Sequence, residues 1–85
     1  MEHPISVLKY SGSLEALAKD VGEMRYDSVA EFITSLADEV VRQAEADRTG
    51  ERVQLASKLE ETARKLYEAR DEMQKVWRIC KPYMK

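Results

Sequence analysis

The chain has 85 residues, 44% of them hydrophobic, with only three glycines and two prolines, which describes one small domain with a thin core and excludes global disorder. A formal net charge of −2 argues against a general nucleic-acid-binding surface, which is ordinarily basic. The single cysteine excludes an internal disulfide or a CxxC pair and fits a reducing, cytoplasmic setting, and no apolar run approaches the roughly 18 residues of a membrane span.

Residues 1–12 form an arm. Pro4 disfavours helix at His3. Ile5-Ser6-Val7-Leu8-Lys9-Tyr10 is rich in apolar and β-branched types and is closed by Ser11-Gly12-Ser13. Three readings fit: an extended arm on the helices, a short strand that needs a partner strand, or a single helical turn after Pro4. The first helix is expected over residues 14–24. Ser13 is its N-cap, Glu15 lies in its first turn, and Leu14, Leu17, Ala18 and Val21 share one face.

A second helix is expected over residues 29–46, opened by a capping box between Ser28 and Glu31. Its apolar stripe is Val29, Phe32, Ile33, Leu36, Val40, Val41 and Ala44, with Asp38–Arg42 as an outer i,i+4 pair. Continuing that period would place Asp47, Gly50 and Gln54 in a core, and Asp47-Arg48-Thr49-Gly50 has turn chemistry. The pattern therefore breaks here into a helical hairpin, although an uninterrupted helix through Gly50 is the alternative.

The third helix, over residues 51–80, organises the chain. Leu55, Leu59, Thr62, Leu66, Ala69, Met73, Val76 and Cys80 recur at alternating four and three, widened by Ala56, Ala63 and Trp77. Glu60–Arg64, Glu61–Lys65 and Asp71–Lys75 are spaced for outer ion pairs, and Pro82 ends the run. At about 1.5 Å per residue this helix outruns the second by about 15 Å. Met73, Val76, Trp77 and Cys80, continued by Tyr83 and Met84, would project and require cover, which burial of Trp77 alone would reward by about 2–3 kcal/mol.

Charge is segregated. Residues 1–63 carry 7 basic and 13 acidic side chains, net −6, and residues 64–85 carry 7 basic and 3 acidic, net +4. The basic end suits a helix C-terminus, and it also offers Arg70, Lys75, Arg78, Lys81 and Lys85, with Trp77 and Tyr83 among them, as candidate contacts for an anion or nucleic acid. No recognition-helix motif accompanies them.

Catalytic and metal chemistry find little to build on. His3 is the only histidine and lies in the arm, and Cys80 falls on the inner helix face, as a small hydrophobe would. Glu68-Ala69-Arg70-Asp71 resembles the ExxD half of the ExxE/ExxD pair by which small all-helical nucleotide pyrophosphohydrolases hold Mg²⁺. No ExxE precedes it, and Glu68, Asp71 and Glu72 fall outside the apolar seam. No Gly-rich phosphate loop or GxSxG is present. The expected architecture is all-α: a three-helix protomer on an antiparallel hairpin, pairing into a dimeric bundle. The expected role is a cytoplasmic, non-enzymatic interaction or regulatory module without cofactor or metal. Nucleic-acid binding and a metal-dependent nucleotide hydrolase are the alternatives.

Overall fold

In a computed structural model, which describes residues 3–83, the chain is helical throughout its ordered elements. Helix α1 spans Leu14–Gly22, α2 spans Tyr26–Thr49 and α3 spans Val53–Cys80, followed by a 3-10 turn at Lys81–Tyr83. The arm from residue 3 to 13 contains bends and one turn, closed by the Tyr10 N–H donating to the Val7 carbonyl at 3.1 Å, and no strand. Ser13 caps α1 as expected: its hydroxyl accepts from the Ala16 N–H at 3.1 Å. The Tyr10 hydroxyl donates to Asp20 at 2.6 Å and ties the arm to this helix.

Helices α2 and α3 form the antiparallel hairpin and make the dominant packing of the chain, while α1 meets only α2. The turn between them falls where the periodicity broke. Gly50 is not the left-handed residue there, since its φ is −87°. Glu51 takes that conformation instead, with φ 68°. A side chain with a Cβ is disfavoured there by about 1–2 kcal/mol. Glu51→Gly is therefore expected to stabilise the hairpin by about 1 kcal/mol, read as a higher urea midpoint with an unchanged slope. An unchanged or lower midpoint would show that Glu51 is not held in this conformation.

Two expectations about α2 are corrected. It begins at Tyr26, not at residue 29, and runs to Thr49, not to 46. Ser28 consequently lies inside the first turn and forms no capping box. Arg25 stands at the cap without a side-chain capping bond, and Asp27 accepts from the Ser28 N–H at 2.9 Å. The second correction follows from the first. With 24 residues against 28 in α3, α2 is only about 6 Å shorter. The overhang of about 15 Å shrinks to little more than one turn.

The helix–helix contact is made by alanines. Ala30, Ala37 and Ala44 on α2, and Ala56 and Ala63 on α3, are buried at intervals of seven, with Ala37 and Ala56 fully so. Small side chains at successive heptad positions let two helices approach closely. The consequence is a seam that keeps Leu59, Leu66, Met73 and Cys80 of the expected one but centres on Ala56 and Ala63, which were expected only to widen it. Ala56, Leu59, Ala63, Leu66, Arg70, Met73, Trp77 and Cys80 face α2, whereas Leu55, Thr62, Ala69 and Val76 are exposed. Of the buried residues none is larger than Val29 or Asp47. The radius of gyration is 15.4 Å, against about 12 Å for a compact chain of this length.

Candidate functional site: an open apolar face

The two sides of the hairpin differ in character. On one side polar groups bridge the helices. The Tyr67 hydroxyl donates to Asp38, Arg48 pairs with Glu60, and Arg70 Nη1 donates to the Thr34 hydroxyl at 3.3 Å. On a 3.6-residue period, Ile33, Leu36 and Val40 lie on the opposite side of the α2 alanine row, and Leu55, Leu59, Thr62, Leu66, Ala69 and Met73 lie opposite on α3. Since the polar bridges join one pair of flanks, the apolar flanks share the other face. It is incompletely covered: Leu36 is 44% exposed, Leu55 41% and Phe32 43%.

Helix α1 covers only one end of this face. Leu14, Leu17, Ala18 and Val21 border an open cleft of about 370 Å³ with Val29, Phe32 and Ile33, at the start of α2. The half nearer the turn has no helix over it among the described residues. Total accessible surface is 6817 Å², about 1,600 Å² more than a compact monomer of 9.8 kDa presents, an excess to which the exposed arm, with Ile5 at 95% and Leu8 at 82%, and the elongated hairpin both contribute.

The end of α3 is partly sheltered. The Arg25 guanidinium lies over the Trp77 ring at 5.1 Å and is held by Asp27, with Nε–Oδ1 at 2.6 Å. Trp77 also borders a cleft with Asp27, Ala30, Glu31, Thr34, Gln74 and Arg78. It is half-buried by its own chain, because the earlier start of α2 brings Arg25 and Ala30 alongside it. Met73 and Cys80 are likewise half-buried, and Cys80 borders a groove with Gly22, Glu23, Met24, Arg25, Tyr26 and Tyr83. Val76 is exposed, Ile79 and Tyr83 strongly so, at 71% and 83%. Met84 and Lys85 lie outside the described residues. The structure therefore brings Met73, Trp77 and Cys80 to the α2–α3 junction and leaves Val76 and Tyr83 outward.

Comparison with family models, curated proteins and solved structures finds no match.

The basic residues do not converge. Arg70 turns toward α2, bonding Thr34, pairing with Asp71 at 2.7 Å and lying over the Tyr67 ring at 5.3 Å. Lys75 pairs with Glu72 at 3.0 Å. Arg78 and Lys81 are exposed. The carboxylates of the ExxD stretch are each engaged: Glu68 by Arg64 at 2.8 Å, Asp71 by Arg70 and Glu72 by Lys75. Among the described residues no group of three His, Cys, Asp or Glu side chains is placed to hold a metal ion. No described helix is long and apolar enough to cross a membrane.

Several expected surface pairs are exchanged for others. Arg42 bonds Glu39 rather than Asp38, through Nε at 2.9 Å, and Gln43 adds a bond at 3.0 Å. Asp38 is free to meet Tyr67, and Glu60 meets Arg48 rather than Arg64. Glu61–Lys65 forms at 3.9 Å. Hydrogen bonds from Arg42 and then Gln43 hold the Glu39 carboxyl at about 2, below its ordinary 4.5. The same sign holds for Asp27, through Arg25, and Glu61, through Lys58. A carboxyl with a depressed folded value contributes stability above its unfolded value and loses it as pH falls through the folded one. The thermal midpoint should therefore drop between pH 4.5 and about 2, and Glu39→Gln should flatten part of that drop. A melting curve series in which the variant and the parent fall in parallel would remove Glu39 from the account.

Proposed function

We propose that the chain is a non-enzymatic protein–protein interaction module that works through the open face of the α2–α3 hairpin. The observation that carries this reading is the misplacement of its large apolar side chains. The tight contact is built from alanine, and Leu36 and Leu55 remain more than two-fifths exposed. Contiguous apolar surface of this kind marks an interaction site. At the end of α3, Val76, Ile79 and Tyr83 are exposed apart from this face. Met73, Trp77 and Cys80 are half-buried at the α2–α3 junction.

The nucleic-acid and hydrolase readings have less beneath them. Arg70 and Lys75 are engaged by neighbouring acids, and the ExxD carboxylates face cations rather than a shared cleft. The test is a photo-crosslinker at position 55 in the native host. Crosslinks to protein that disappear in a Thr62→Glu background, which places a charge in the face at an exposed position, support the module. Crosslinking that is absent, or indifferent to Thr62→Glu, counts against it.

A further inference from the structure

We infer that the cleft between the start of α2 and the end of α3 binds a guanine base, stacked on Trp77 with Glu31 and Arg78 at its edges. The cleft encloses about 380 Å³, within the span of about 300–1,000 Å³ usual for small-molecule sites. Thr34, which receives Arg70, borders it and places it on the polar side of the hairpin. It does not draw on the open apolar face, so the interaction module stands or falls without it.

Two opposite charges are left unpaired in this one place. From Lys58 to Lys75, α3 leaves no charged side chain without an ion pair. Among the described residues, the charges of α2 and α3 that hold neither an ion pair nor a hydrogen bond are Glu31, Glu45 and Arg78. Glu31 and Arg78 both line the cleft. The sequence shows why they stay free. One turn to either side of Glu31 stand Asp27, Ser28, Thr34 and Ser35, and one turn to either side of Arg78 stand Gln74, Lys75, Lys81 and Pro82. Neither finds an opposite charge on its own helix. Asp27 is taken by Arg25 through both carboxylate oxygens, at 2.6 and 2.7 Å, and Glu31 adds only a weaker attraction on Arg25 at a distance.

These groups together select the ligand. A carboxylate only accepts and a guanidinium only donates, so the ligand must donate on one edge and accept on another. The charges cancel, Asp27 against Arg25 and Glu31 against Arg78, which favours a neutral molecule. Arg25 covers the Trp77 ring from outside the cleft, so the indole surface that borders the cleft is open to stacking. An aliphatic zwitterion would meet both charges and leave the indole bare, whereas a flat base covers it. Guanine alone among the bases donates twice side by side, from N1 and the 2-amino group, matching the two oxygens of Glu31. Its O6 and N7 accept side by side, the pairing that arginine favours. Adenine, cytosine and uracil each set an acceptor beside the donor, and its lone pair repels a carboxylate.

Trp77 is the only tryptophan, so its emission reports the site directly. Guanosine, titrated with excitation at the red edge of the indole band, should quench it saturably, and adenosine and cytidine should bind roughly 10-fold more weakly or worse. Inosine, which lacks the 2-amino group, should lose roughly 10-fold on the parent and nothing further on Glu31→Gln. The deaza analogue without N7 should behave in the same way toward Arg78→Gln. Both positions are exposed and glutamine is a good helix former, so circular dichroism and unliganded emission should not change. A single-stranded RNA with one guanine that binds more tightly than guanosine monophosphate makes the source a nucleic acid, and the reverse order makes it a free nucleotide. Quenching by guanosine that does not saturate by about 1 mM, equal binding of the three nucleosides, or guanosine binding indifferent to Glu31→Gln and Arg78→Gln overturns the inference.

Discussion

Ala37→Leu is expected to destabilise the hairpin by about 3 kcal/mol, at the upper end of the range for overpacking a tight contact. Ala37 has no accessible surface and lies at the middle of the alanine row, flanked at intervals of seven by Ala30 and Ala44. A leucine there has no void to enter, so the helices must separate, and separation removes the contact along their whole length. Ala46→Leu is the matched control. Ala46 is on the same helix but exposed, so the same added atoms should change stability by no more than about 0.5 kcal/mol. Urea denaturation of both variants reads the difference. Equal midpoints would show that the alanine row is not where the helices meet.

The second large effect concerns Asp47. Its carboxylate is buried at the end of α2, and Arg52 Nε reaches Oδ1 at 2.8 Å from beyond the turn. The Arg52 N–H also donates to the Asp47 carbonyl at 2.8 Å. The two side chains differ in one respect that fixes the asymmetry: Asp47 is 5% exposed and Arg52 51%. Removing Arg52 strands a charge that water barely reaches. Removing Asp47 leaves a guanidinium that rehydrates, and it also relieves an acid from the negative end of the helix dipole. Arg52→Ala should therefore cost about 2 kcal/mol, less than a fully buried pair because Arg52 is half in water, and Asp47→Ala should cost about 1 kcal/mol. The double variant should be more stable than Arg52→Ala alone, a coupling that a thermodynamic cycle measures. Additive losses would mean that the pair does not interact in solution.

Much of the architecture was legible in the residues. The break near Gly50 was visible because a polar stretch fell where the apolar period demanded core, and Ser13 announced the start of α1 by its hydroxyl. The alternate seam positions of α3, Leu55, Thr62, Ala69 and Val76, were misread for a physical reason. Ranking positions by hydrophobicity selects leucine and valine, yet the closest approach of two helices selects the smallest side chain. Ala30, Ala37 and Ala44, together with Ala56 and Ala63, carry the same spacing of seven in plain sight. Read as contact markers they place Leu55, Thr62 and Ala69 outside the seam. The start of α2 was misread because Ser28 and Glu31 have the spacing of a capping box. That spacing is also satisfied inside a helix, and the turn from Gly22 to Arg25 is short enough for α2 to begin at Tyr26.

That shift moved the functional reading from the tip of α3 to its flank. The expected projection of Trp77 is met largely within the chain by Arg25 and Ala30. The incompletely covered surface lies along the hairpin, and it could not be located until the pairing Asp38–Tyr67 showed which flanks face together.

The most direct measurement of whether that face is closed in solution is solvent paramagnetic relaxation of the side-chain methyl groups, with a small soluble relaxation agent. Leu36 and Leu55, 44% and 41% exposed, are the reporters and Ile79, 71% exposed, is the reference. Closure by another molecule predicts relaxation of the two leucines several-fold weaker than that of Ile79, rising in Thr62→Glu. Leucine methyls relaxed in proportion to their exposure in the single chain, a little over half the reference, and unaltered by the variant, would contradict the account.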